Sequence, residues 1–184
     1  MRHFRTCPWW LTPTFDNPLR RFVHNPDEIL GDLVMSGQTV VDLGCGMGYF
    51  TLAMAKLVAP NGRVIAVDLQ SQMLTGTRRR AKRAGLLPWI LFHQCTPEQI
   101  NLVIQADFVL AFWMVHEAQN PLSLLRQVFD LLKPRGKFLL VEPKVHVSKS
   151  SFERTTQVAQ SVGLVNDRLL SIRLSRAVLF IKDS

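Results

Sequence analysis

Apolar positions in this chain gather into short runs rich in β-branched and aromatic residues, and between the runs they recur at helical spacing, punctuated by Gly and Pro. Strand-type runs cover Gln38 to Leu43, Arg63 to Asp68, Trp89 to His93, Asp107 to Trp113 and Lys137 to Glu142. Asn25-Pro26-Asp27-Glu28 predicts a helix start, with Asn as cap, Pro at the first helical position and acids at the positive end of the dipole; Gly37 closes that region. Further helices are expected from the glycine-rich turn after Leu43 through Val58, and over Ser71 to Ala84 before Gly85. A short one is expected at the capping-box spacing Thr96-Pro97-Glu98-Gln99, another from Asn120-Pro121, and a last one over Ser151 to Val162 before Gly163. Pro60-Asn61-Gly62 and Pro134-Arg135-Gly136 read as turns. Val165 to Ile172 and Arg176 to Ile181 have no helix between them and must form an antiparallel hairpin. Strands alternating with helices call for right-handed crossovers and a parallel sheet covered on both faces. The expected fold is an α/β three-layer sandwich whose seven-stranded, mostly parallel sheet ends in an antiparallel hairpin, with residues 1–36 as a separate leading segment and 37–184 as the domain.

The composition narrows the class. With 184 residues, 47% of them apolar and 11 Phe and 4 Trp among them, the chain has material for one core and is not disordered as a whole. Its longest largely apolar stretch, Ala106 to Val115, is half of the roughly 20 residues a helix needs to cross a bilayer, so no membrane span is expected. Arg2, His3, Phe4 and Arg5 are followed by no apolar run with a cleavage site, which predicts a cytoplasmic protein. Cys7, Cys45 and Cys95 lack the spacing of a disulfide framework or a zinc site, and no metal is expected. The net charge of +8 fits nucleic acid, anionic lipid or an acidic partner equally well.

The first strand-to-helix connection carries the chemistry. Val40-Val41-Asp42-Leu43-Gly44-Cys45-Gly46-Met47-Gly48 sets three glycines at alternate positions, where missing side chains permit a sharp turn and close approach of a ligand to backbone amides. Asp68 closes the second strand, where a carboxylate accepts both hydroxyls of a ribose. Glycine loop and acid together point to a nucleoside ligand beside the first strand.

Asp42-Leu43-Gly44-Cys45-Gly46-Met47-Gly48 resembles the first motif of class I S-adenosylmethionine-dependent methyltransferases, and the dinucleotide pattern Gly-x-Gly-x-x-Gly is not matched. The resemblance extends from Gln38 to Ile181 and takes in the fourth strand with its trailing His, Asp107 to Glu117, and the turn Leu131-Leu132-Lys133-Pro134-Arg135-Gly136-Lys137. It implies a Rossmann-like fold and S-adenosylmethionine as cofactor, with S-adenosylhomocysteine as product. Asp42 then orients the loop and the amino acid end of the cofactor, Gly44, Cys45, Gly46 and Gly48 form the cradle, and Asp68 grips the ribose. Leu69, Cys95, Thr96 and Ala111 complete the implied cofactor set. Many members have Gly-Asp where this chain has Cys95-Thr96; Thr96 either accepts from the adenine amino group or caps a helix, and Cys95 reads as a small apolar filler.

The acceptor side is read from the ends of the fourth and fifth strands. His116 is a candidate base or substrate ligand, or a residue that closes the turn by a backbone hydrogen bond, and Glu117 reads as solvated or as an acceptor contact. Glu142, Lys144 and His146 alternate along a segment expected to be extended, which would put all three on one face; a salt bridge on the lid side is the other reading. Catalytic candidates are His116, Glu142 and His146. Trp9, Trp10, Phe15 and Arg20-Arg21 either cover the acceptor pocket as a lid or pack on the sheet edge. Arg78-Arg79-Arg80 with Lys82-Arg83 is a solvated helix face or an RNA-facing patch. The expected function is methyl transfer to a small-molecule nucleophile, with an RNA methyltransferase and a catalytically silent cofactor-binding protein as alternatives.

Overall fold

The structure is a computed structural model that describes residues 20–183. The proposed covering residues Trp9, Trp10 and Phe15 lie outside the described residues. Two short helices, α1 (Arg20–Val23) and α2 (Pro26–Leu30), lead into β1 (Thr39–Leu43), α3 (Tyr49–Val58), β2 (Arg63–Asp68), α4 (Ser71–Arg83) and β3 (Ile90–Gln94). There follow β4 (Ala106–Phe112), α5 (Pro121–Leu131), β5 (Leu132–Pro143), α6 (Lys149–Ser161), β6 (Leu164–Leu170) and β7 (Ser175–Lys182). The strands form one sheet of order β3-β2-β1-β4-β5-β7-β6. All neighbours among the first five are parallel, while β7 runs antiparallel to both β5 and β6. The fold class and the terminal hairpin agree with the sequence pattern.

Period-two alternation builds the two cores. Val40, Val64, Phe108 and Leu139 point to the face covered by α2, α3 and α4, where Leu30, Phe50, Met54, Val58 and Leu74 meet them. Val41, Ile65, Val109, Phe138 and Phe180 point the other way, against Leu125, Val128, Phe152 and Ala159 of α5 and α6. Chain order reverses between β1 and β4, so the crevice at their carboxyl ends is the natural ligand site. No helix among the described residues is long and apolar enough to cross a membrane.

Three expected boundaries move, each for a local reason. Asn25 caps α2 by accepting from the Asp27 amide, as its sequence predicts, but the helix stops at Leu30 and the chain turns before Gly37. No helix follows Thr96. Its Oγ1 does accept from the Gln99 amide, but its own N–H goes back to the Gln99 carbonyl, the Ile100 amide is taken by the Gln127 side chain and Asn101 has φ +53°, so the helical path is blocked. Finally β5 begins at Leu132 rather than Lys137, because the Pro134-Arg135-Gly136 turn is absorbed as an irregularity where pairing jumps from Leu132 with Ala106 to Lys137 with Phe108.

Candidate cofactor and acceptor site

The loop after β1 is shaped by three left-handed glycines, Gly44 (φ +73°), Gly46 (φ +54°) and Gly48 (φ +81°). Its geometry is then fixed from several sides. The Gly44 and Cys45 amides both donate to the Val67 carbonyl of β2, so neither is left for a ligand. Thr77 and Arg80, on one face of α4, donate to the carbonyls of Gly46 (2.8 Å) and Met47 (2.8 Å). Gly46 is the open point: a Cβ built there has no atom within 4 Å. Gly48 caps the start of α3 in the left-handed conformation and makes no side-chain cap hydrogen bond, so the positive end of that helix faces the loop.

Two buried carboxylates frame this loop. Asp42 on β1 accepts from the Thr51 hydroxyl of α3 at 2.5 Å, tying strand, loop and helix together. Burial, with Asp68 nearby, pushes its carboxyl up to about 6 despite the Thr51 bond. Asp68 accepts the Gly46 amide on one oxygen and the Gln70 amide on the other, each at 2.9 Å. A carboxylate offers about four acceptor positions, so these amides do not exhaust it. Burial raises the Asp68 carboxyl, and the amides of Gln70, Gly46 and Leu69 oppose that rise. Both thiols of the described residues are pushed up by burial, Cys95 to about 11, which holds them in the protonated form near neutral pH.

A stability prediction follows from Asp42. Its folded value of about 6 lies above the unfolded 3.8, so the folded protein holds an extra proton between them. This group's contribution is full below the unfolded value and is lost as pH rises through about 6. Asp42→Asn is expected to flatten that slope in the ligand-free protein by on the order of 2–3 kcal/mol, read by urea melts between pH 4 and pH 7.

Loop and carboxylates line a cleft of about 400 Å3, within the roughly 300–1,000 Å3 range of small-molecule sites. Of the expected cofactor residues, Asp42, Gly44, Cys45, Gly46, Asp68, Leu69, Cys95 and Thr96 line it. Gly48 lies behind the wall, where an added Cβ would strike Thr77 at 2.5 Å. Ala111 is fully buried in the sheet beneath and does not reach the cleft. Sequence reasoning missed Thr51 and Thr77 and read Arg80 only as part of a basic run; the signal for the last two is the pair of helix positions 77 and 80 facing the loop. Arg20, named from the sequence as a candidate at the acceptor pocket, lies in the cleft wall, 4.4 Å from the Tyr49 ring centroid.

On the acceptor side the chain leaves β4 through Trp113, a left-handed residue (φ +61°) anchored by its indole N–H on Ser175 Oγ. That bend lays Met114, His116 and Glu117 along the cleft. Glu142 is buried at the end of β5 and accepts from both the backbone N–H and the ring of His116. The expected shared face of Glu142, Lys144 and His146 is not formed. The extended segment stops at Pro143, whose carbonyl accepts the His146 and Val147 amides, so 144–146 form a turn. His146 is thereby carried back to the cleft, its ring stacked on that of His116 at 6.3 Å, while Lys144 is exposed and outside the lining. Among the described residues no three His, Cys, Asp or Glu side chains converge as metal ligands.

A parallel sheet that turns back beside a glycine loop, with an acid closing the next strand, defines a nucleoside-cofactor domain of the α/β class. A family model for the methyltransferase domain matches residues 35–170. The chain belongs to this family, in its class I S-adenosylmethionine-dependent form. It is similar to the biotin biosynthesis bifunctional protein BioHC of Teredinibacter turnerae, 29% identical over 70% of this chain and 26% of that one. It is also similar to the ubiquinone/menaquinone biosynthesis C-methyltransferase UbiE of Pasteurella multocida, 30% identical over 59% of this chain and 41% of that one. The chain thus spans less than half the length of either relative. The crystal structure of a SAM-dependent methyltransferase from Aquifex aeolicus has the same fold, with a TM-score of 0.85 at 19% identity, covering 96% of this chain and 100% of that one.

Proposed function

We propose that this chain moves the methyl group of S-adenosylmethionine to a small organic acceptor by direct displacement. The observation that carries this reading is one continuous cleft lined both by the open Gly46 and Asp68 and by Trp113, His116 and His146. When bound, the cofactor supplies a methyl group activated by a positively charged sulfur. In this reading Asp68 accepts from the sugar hydroxyls with its remaining lone pairs, and the start of α3 faces the amino acid part. Asp42 acts through Thr51 to hold the loop, and Leu69, Cys95 and Thr96 border the base. Trp113, Met114 and Pro143 keep water from the acceptor, which aligned displacement requires. The names of the relatives from Teredinibacter turnerae and Pasteurella multocida concern biotin and ubiquinone or menaquinone, which supports a small acceptor.

RNA as acceptor is the second reading, favoured by exposed Arg79, Lys82 and Arg83 on α4. It is the weaker one, since Arg78 lies over the Phe92 ring at 4.1 Å and Arg80 holds the Met47 carbonyl. The deciding experiment incubates the full chain and methyl-labelled cofactor with phenols, thiols, amines, metalloid oxyanions and bulk RNA. Label in a small product supports the proposal, and label in RNA replaces it with the second reading. Cofactor binding with no transfer to any acceptor makes the protein a silent binder.

A further inference from the structure

We infer that the acceptor is a weakly acidic enol or phenol, deprotonated by His116 while Glu142 holds that imidazole in one tautomer. The inference rests on the proposed methyl transfer and names the acceptor class for the same cleft.

Glu142 is 1% exposed, yet its carboxylate is spent entirely on residue 116. Its Oε1 accepts the His116 backbone N–H at 3.1 Å and its Oε2 accepts from Nδ1 at 2.5 Å. A carboxylate only accepts, so Nδ1 carries the proton and the lone pair of the neutral ring sits on Nε2. No residue among those described bonds Nε2, and the ring stands in the cleft wall with 26% of the side chain exposed. A structural tie for the β4 to α5 turn requires only the backbone bond. The second bond fixes which nitrogen faces the ligand and stabilises the imidazolium that forms on proton uptake.

The surroundings of His116 bear on the choice of acceptor. Glu142 lies behind His116, Glu117 follows it on the same turn, His146 stacks on it from the β5 to α6 turn, and Arg20 lines the same cleft from α1. Burial alone would lower the His116 pKa, but the bond to Glu142 and the charges of Glu142 and Glu117 outweigh it and raise it. A thiolate arrives already ionised and an amine attacks as the neutral base, so neither calls for a fixed proton acceptor in the cleft wall. A neutral enol or phenol does, and its flat ring or conjugated plane suits the walls made by Phe50, Phe112 and Trp113. In the step, the acceptor's electron pair forms the bond to the methyl carbon and the carbon–sulfur bond breaks with its electrons left on sulfur. The acceptor proton passes to His116 Nε2 and then to water.

The test measures S-adenosylhomocysteine release against pH for wild type, Glu142→Gln and His116→Asn, with substituted phenols and 1,3-diketones as probes beside thiols and amines. Calorimetry with S-adenosylmethionine is run on the same samples. Phenols or diketones are expected to turn over, with a rate that rises as pH passes the His116 pKa. His116→Asn should remove that limb and lower kcat about 100-fold, with cofactor affinity unchanged. Glu142→Gln should lower kcat at least tenfold or so and move the limb to lower pH, since the charge that strengthens the base is gone. A merely structural Glu142 would lower kcat and cofactor affinity together and leave the limb in place. Preferential turnover of thiols or amines, kcat within about twofold in both variants, or intact cofactor binding with no phenol or diketone consumed each overturns the inference. Absence of cofactor binding in wild type removes the methyl-transfer reading itself.

Discussion

Replacing Gly46 by alanine is expected to lower cofactor affinity by about 100-fold, roughly 3 kcal/mol, while the protein stays folded. The two effects separate because of where the new methyl group goes. At Gly46 it meets no protein atom within 4 Å, so it projects into the space a ligand must fill. The folded chain bears only the strain of a left-handed alanine at φ +54°, about 1–2 kcal/mol. Gly48→Ala is the natural contrast. There the added carbon would lie 2.5 Å from Thr77 Cγ2, so the cost falls on the packing of α3 against α4 and appears as lost stability. Titration calorimetry with S-adenosylhomocysteine and thermal melts on both variants check the pair. Equal ligand affinity in Gly46→Ala and wild type would place the ligand elsewhere.

Phe138→Ala should carry the largest stability cost, about 3–5 kcal/mol. Phe138 is fully buried on the face covered by α5 and α6, with its ring stacked on Phe180 of β7 at 5.9 Å. Domains of this kind are held by only about 5–15 kcal/mol, so the variant should lose about a fifth of its margin or more. The site would feel the change as well, because β5 carries Glu142 a few residues on from the cavity. Urea unfolding should show a lower midpoint with unchanged slope. A loss below about 1 kcal/mol would mean the two sheet faces are packed differently from this description.

Most of the architecture was legible from pattern alone. Runs such as Val40-Val41 and Val64-Ile65-Ala66-Val67 are buried on both faces, which is why they read as central parallel strands. Asn25 and Asn120 cap the helices their sequences announce. What failed depended on partners distant in sequence. Thr96 makes the local bond its spacing promised, but Gln127, on another helix, takes the Ile100 amide that a helix would have used. The alternation of Glu142, Lys144 and His146 suggested one face, and the turn closed by the Pro143 carbonyl undid it. The glycine cradle and Asp68 were readable because loop and acid are each local signals. The pins that hold the cradle, Thr51 on Asp42 and Thr77 and Arg80 on the loop carbonyls, belong to helices whose placement the sequence pattern does not encode. The pairing of His116 with Glu142 spans 26 residues and two strand ends, so the sequence could name both residues as candidates without joining them.

In the proposed function the Gly46 and Asp68 cradle holds a sulfonium nucleoside. Calorimetric titration of S-adenosylhomocysteine into wild type and Asp68→Ala tests it most directly. One-to-one binding to wild type is expected, with a loss of about 100-fold when the carboxylate is removed. Binding of equal strength to both proteins, or no heat from folded wild type, would contradict it.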